Sequence, residues 1–233
     1  MTPDERAVLD LLQKWSPDIT ALLKRAGYFN LPEGTAKEDI AKKIGFGRGS
    51  PLHKKILAQS KKKNEQIAYI VMKEENLIEL KQGARVVAKS LGIPFSPYDW
   101  NPIGQAYMKK EGFQLVKTLT ATDLKRLVPQ IQKHFGLNER TFQRQFAQDY
   151  PCSPYRMRTI FRTEKYRALN GGAHLEAKSV GATSKIWRHS GGPNPRKEHV
   201  AMSGQVQDID EPFSNGEQYP QMINCRCRVD YRF

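Results

Sequence analysis

Cysteine is scarce in this sequence, and long apolar runs are absent. Three cysteines occur in 233 residues, and two of them, Cys225 and Cys227, stand one residue apart. That is no disulfide framework of the kind small secreted domains need. Sharing one face of a strand, the two are also badly placed to bond each other without distortion. Buried thiols and metal ligands are the readings left. No apolar stretch approaches the ~18–20 residues of a membrane span. The opening Met1-Thr2-Pro3-Asp4-Glu5 lacks the basic-then-apolar order of a secretory signal. No membrane span is expected, and the chain is expected to be made and kept in a cytoplasm.

Acidic side chains are the other shortage. Against 38 Lys+Arg there are 24 Asp+Glu, a formal charge of +14. Residues 1–150 hold 25 basic and 16 acidic side chains and residues 151–233 hold 13 and 8, so neither part alone carries the excess. Such a surface serves solubility or meets nucleic acid or an acidic protein. Hydrophobic content of 39% with 27% charged residues is that of a folded chain, long enough for one well-buried core or two modest domains.

What is present is mainly helical pattern. Thr2 and Glu5 form a capping box ahead of the stripe Val8, Leu9, Leu11 and Leu12. Ser16-Pro17-Asp18 opens a helix ending near Gly27, and Thr35-Ala36-Lys37-Glu38 reads as a second capping box. Gly45-Phe46-Gly47-Arg48-Gly49-Ser50-Pro51 is a hinge-like loop. It lacks the Gly-Lys-Ser/Thr ending of a nucleotide-binding loop, and no strand precedes it. Pro51 to about Leu91 is helical, with breaks suggested near Lys61-Lys62-Lys63-Asn64 and Gln82-Gly83. Lys54, Lys55, Lys61, Lys62 and Lys63 crowd one end of it, as a solvated face or as a helix edge following a phosphate backbone. The run has no interleaved aromatics for base stacking, which favours the solvated face.

Residues 92–118, with Pro94, Pro97, Tyr98, Trp100, Pro102 and Tyr107, read as an ordered, aromatic-anchored loop followed by a short helix. Thr122-Asp123 starts a helix through Leu124, Leu127 and Ile131, Asn138 caps another, and Ser153-Pro154 starts one running to Asn170-Gly171. A Trp-bearing strand and a His-bearing segment follow. From Cys225 to Phe233 soft or apolar side chains alternate with charged ones, placing Cys225, Cys227, Val229, Tyr231 and Phe233 on one strand face. The expected fold class is α+β: a mainly helical N-terminal two-thirds and a small α+β C-terminal domain ending in a β-strand. The expected division is a helical region 1–118 and a second domain 119–233.

In the last third, Arg162-Thr163-Glu164, Asn170, Gly171 and Lys185-Ile186-Trp187 are followed by Arg196, His199, Met202-Ser203-Gly204, Phe213, Asn215-Gly216, Pro220 and Asn224-Cys225-Arg226-Cys227. This ordered series resembles the phage head-morphogenesis domain of the Mu F-like minor head proteins. Relatives commonly carry Asp before Arg-x-x-His and Leu-Asp-Gly after it; here Gly191-Gly192-Pro193-Asn194-Pro195 and Met202-Ser203-Gly204 stand there, and two acidic positions are neutral. The resemblance implies a minor capsid or head-morphogenesis protein of a tailed double-stranded DNA phage, made in the host cytoplasm and placed in the virion head near the portal. Its implied partners are the portal protein, the major capsid or scaffold protein, and double-stranded DNA. It implies structural motif residues, namely Arg162, Glu164, Trp187, Arg196, His199, Gly204, Asn224, Cys225 and Cys227, and no catalytic residue.

Read by their chemistry, His199, Cys225 and Cys227 are candidate zinc ligands, with the fourth sought among His189, Cys152 and His174. The plainer reading makes the cysteines small buried hydrophobes and His199 a hydrogen-bonded structural histidine. Glu164 is expected to pair with an arginine such as Arg196 or Arg226, and Asn224 to bond backbone in a turn. The rival function is a phage-encoded nuclease or toxin-like enzyme using Arg162, Glu164, Arg196 and His199. Against it, Arg162 and Glu164 lie two apart on a helix and point in different directions.

Overall fold

The helical periodicity of the sequence becomes, in the computed structural model, nine α-helices, and three strands accompany them among the described residues. The structure describes residues 1–97, 99–192 and 194–233, without the side chains of Glu74, Glu75, Leu124 and Tyr150. Tyr98, Pro193 and the Leu124 side chain, cited above, therefore lie outside the described residues. The fold is mainly helical α+β. It forms two compact units, one of Met1–Ile70 with Glu111–Arg158 and the other of Val71–Lys110 with Thr159–Phe233.

The first unit holds α1 (Pro3–Gln13), α2 (Trp15–Arg25), α3 (Lys37–Lys43) and α7 (Glu139–Phe146). It also holds nearly all of α4 (Pro51–Val71), the later part of α6 (Trp100–Lys133) and the start of α8 (Pro154–Ser179). The Thr2–Glu5 capping box forms, and Asn138 accepts from the Thr141 amide at 2.9 Å. The box expected at Thr35 does not form. Ala36 is the N-cap of α3, because the Thr35 hydroxyl is spent on the Pro32 carbonyl in the preceding turn. The core gathers Trp15, Ile19, Leu23, Ile56, Leu127 and Ile131 around Phe142 and Phe146, whose rings stack with centroids 5.6 Å apart. Beneath it lies a buried polar group. Arg156 donates to Asp123 Oδ1 at 2.5 Å, while Ser60 and Asn64 donate to its Oδ2 at 2.6 and 2.9 Å. Such a pair is stable only because both carboxylate oxygens, taken from water, meet donors.

The second unit combines α5 (Glu74–Ser90), the start of α6, most of α8, and α9 (Lys197–Ala201) with a small sheet. Strands β1 (Ser184–Arg188), β2 (Val206–Asp208) and β3 (Arg228–Arg232) are antiparallel in the order β2-β1-β3, with Trp187 opposite Val229 and Ile186 opposite Val206. Gly204, at φ 91°, takes the left-handed turn that leads into β2, and its amide donates to the Trp187 carbonyl. Trp187, Met202, Phe213, Cys225, Cys227 and Val229 share one core with Leu80, Ala84 and Ala168.

Several helices run further than the sequence suggests. α4 passes unbroken through Lys61–Asn64, and α5 passes through Gly83. α8 continues past Gly171 to Ser179. The physical reason for the last two is close packing. A Cβ on Gly83 would collide with the Leu169 carbonyl of α8, and one on Gly172 with the Leu80 carbonyl of α5. These glycines are contact points inside helices rather than stops. The loop and short helix expected over 92–118 give way to α6, which starts at Trp100 and absorbs Thr122-Asp123. The alternation from Cys225 holds through Val229, but Phe233 is 51% exposed and does not join the buried face.

Candidate functional site

α9 and the segment before β3 bring three sequence-selected side chains together. His199, Cys225 and Cys227 are all buried, and their ligand atoms lie within 4.8 Å of one another. His199 Nδ1 is 3.4 Å from Cys225 Sγ and 3.6 Å from Cys227 Sγ. The Cys227 amide donates to Cys225 Sγ at 3.4 Å. On the far side of the ring, Nε2 faces Met222 Sδ at 3.2 Å. The ring is thus oriented with Nε2 toward the thioether and Nδ1 toward the two sulfurs. The Trp187 indole packs edge-on against the imidazole, with centroids 5.2 Å apart, fixing its plane.

The two thiols differ. Cys227 is held well below the usual thiol range, chiefly because the Cys225 thiol donates to its sulfur and further because His199 stands beside it. That same hydrogen bond, followed by burial, pushes Cys225 up. Beside them is a cavity of about 160 Å³ lined by His189, Ser190, Asn194, Arg196, Asn224 and Arg226, among others. Of the fourth ligands considered, His189 lines this cavity. Cys152 belongs to the core of the first unit, and the His174 ring packs between Tyr219 and Tyr231.

The other motif residues hold this arrangement in place. Asn170 of α8 donates to the Cys227 carbonyl at 3.3 Å. Thr163 Oγ1 accepts from the Asn224 amide at 2.9 Å, and Arg162 donates to Asn224 Oδ1 at 3.3 Å. Asn224 thus bonds a side chain where backbone was expected. Its φ of 59° puts it in the left-handed region that asparagine tolerates. Glu164, 2% exposed, pairs with Arg167 one turn along α8 at 2.9 Å. Arg167 also donates to the Gln221 carbonyl, and Arg196 donates to the Ile223 carbonyl at 2.6 Å. Arg167, Met222 and the Thr163 hydroxyl were missed as site residues by sequence reasoning. The arginine at i+3 from Glu164 was the one available signal.

The lysine run divides. Lys54, Lys55, Lys61 and Lys62 are exposed on α4. Lys63 is not a surface cation: it is buried, pairs with Asp18 at 2.7 Å and lies over the Trp15 ring at 4.4 Å. Its helical position points it into the first unit. Among the described residues no helix is long and apolar enough to cross a membrane.

Comparison with known proteins bears on the same stretch. Residues 125–230 match the family described as Phage Mu protein F like protein. The match begins within α6, upstream of the motif series read from the sequence. The Mu-like prophage FluMu F protein of Haemophilus influenzae is 30% identical over 80 residues, which is 34% of this chain and 19% of that protein. A Bacillus subtilis protein named "Uncharacterized protein YqbB" is 34% identical over 88 residues, 31% of this chain and 29% of the relative. The chain thus matches less than a third of the length of these curated relatives. No solved structure matches it. Residues 125–230, with the Arg-x-x-His and Asn-Cys-x-Cys elements in order, are thus similar to the Mu F-like phage proteins.

Proposed function

We propose that this protein is a minor head component of a tailed double-stranded DNA phage, acting in head morphogenesis near the portal vertex and carrying out no catalysis. The observation that carries the reading is the match over residues 125–230, whose motif side chains are spent on holding the second unit together. Glu164 is buried in an ion pair, Arg162 and Arg196 are bonded to the segment before β3, and His199 is buried against sulfur. A nuclease or transferase centre needs such groups directed at a substrate.

In this reading the helical region 1–118 meets the portal, the major capsid protein or a scaffold, and residues 119–233 form the head-morphogenesis domain. Packaged DNA is a second partner. Lys54 and Lys61, like Lys55 and Lys62, are seven residues apart on α4. They form a stripe of positive charge about 10 Å long, suited to phosphates. Quantitative mass spectrometry of filled virions, empty heads and infected-cell lysate tests the proposal. A few copies per portal vertex in heads and virions are expected. Recovery only from soluble lysate would overturn it.

A further inference from the structure

We infer that His199 Nδ1, Cys225 Sγ and Cys227 Sγ bind one zinc ion, with its fourth position opening on the cavity beside them. This inference does not rest on the phage reading; it rests on geometry. Zn–S bonds of about 2.3 Å and Zn–N bonds of about 2.0 Å at a tetrahedral angle place sulfur and nitrogen about 3.5 Å apart. The observed separations are 3.4 and 3.6 Å. All three ligand atoms fall within 4.8 Å of one another, and all three residues are buried. One ion could therefore reach all three without rebuilding the backbone.

The surroundings are those of a metal centre as well. The imidazole turns Nδ1 to the sulfurs while Nε2 is directed away from them to Met222, so the ring already presents one nitrogen to the place an ion would take. Cys225 Sγ already accepts a backbone amide, that of Cys227, two residues on. Such a bond stabilises a thiolate. Asn170 anchors the Cys227 carbonyl and Thr163 the Asn224 amide, so the Cys-x-Cys segment is held from α8 at two points. The fourth position faces a cavity on whose wall His189 stands, at the end of β1. Zinc needs no redox partner, and binding displaces only the thiol protons to solvent.

The test uses the full chain, purified reduced. Metal content by mass spectrometry should be one zinc per chain. Cobalt titrated into the metal-free protein should give the thiolate charge-transfer absorption and intense visible bands of a tetrahedral sulfur–nitrogen site. Cys225→Ser, Cys227→Ser and His199→Gln should each lower metal retained after dialysis by about tenfold or more. Cys152→Ser, in the other unit, should leave it unchanged. Where a variant fails to fold, the wild-type cobalt spectrum decides alone, because the charge-transfer band requires a thiolate ligand. A folded, reduced wild type that takes up neither ion would overturn the inference. So would metal retained in both Cys225→Ser and Cys227→Ser, or lost in Cys152→Ser.

Discussion

Each unit buries a carboxylate paired with an arginine, but only the second also buries a cluster of two thiols and an imidazole among the described residues. In the first, Asp123 receives Arg156, Ser60 and Asn64 under an aromatic core, and the carboxylate and guanidinium are each 1% exposed. In the second, besides the buried Glu164–Arg167 pair, two thiols and an imidazole are buried together and border a cavity. The first arrangement resembles a closed joint. The second has softer groups and one open side. A buried carboxylate tolerates no vacancy, since its desolvation must be offset at once. Thiols are small hydrophobes when protonated and ligands when not, so the second unit can stand in either state.

The largest expected effect lies in the closed joint. Asp123→Ala strands the Arg156 guanidinium and should cost about 3–5 kcal/mol in urea unfolding. The double variant Asp123→Leu with Arg156→Met should recover most of that loss. If the double variant is as unstable as Asp123→Ala, the pair contributes more than the relief of mutual burial, and the contrast between the units sharpens. Next comes acid sensitivity, placed in the second unit. Burial lowers His174 from its ordinary value to about 4, with Lys185 and Lys178 adding to the shift. Between pH ~6.5 and ~4 the unfolded chain takes up a proton that the folded chain does not. Stability is therefore full above the unfolded value and falls as the pH drops through that window, by up to about 3 kcal/mol. His174→Phe should flatten this slope relative to wild type in melting curves across the window. An unchanged slope would place the acid sensitivity elsewhere.

Much of this was legible in the sequence, for identifiable reasons. The Thr2–Glu5 box and the Asn138 cap act over three residues, so local pattern suffices to read them. His199, Cys225 and Cys227 stood out because their chemistry is rare in the chain. Gly83 and Gly172 were illegible as contact points, since a glycine that ends a helix and one that admits a neighbouring backbone look alike without the neighbour. The same holds for Lys63. A lysine in a basic run reads as solvated until Asp18, 45 residues away, is placed beside it. Met222 and Thr163 act only through the folded geometry and left no trace in composition.

Smaller effects follow. Gly172→Ala must push α5 off α8 at the Leu80 carbonyl, and a loss of about 2 kcal/mol in thermal or urea unfolding is expected. A neutral result would mean the two helices are free to separate there. Asn224→Ala removes the acceptor for Arg162 and leaves a left-handed backbone without the residue that tolerates it, at about 1 kcal/mol. Asn224→Gly, which relieves the backbone alone, should lose less. Equal losses would assign the whole effect to the Arg162 bond.

The glycines of α5 and α8 have one more consequence. They are reciprocal: Gly83 faces the Leu169 carbonyl and Gly172 faces the Leu80 carbonyl. Each helix presents its bare backbone where the other presents an oxygen, so Cα–H groups replace side chains as the touching surface. A seam of this kind has a single setting. Sliding either helix by one residue would bring a side chain such as Ala84 or Ala173 against main chain, so the glycines act as detents that index one helix to the other. Asn170, which holds the Cys-x-Cys segment, is two positions from Gly172 on the same helix. Within the second unit, the placement of the sulfur–imidazole cluster is thereby gauged from the backbone of α5.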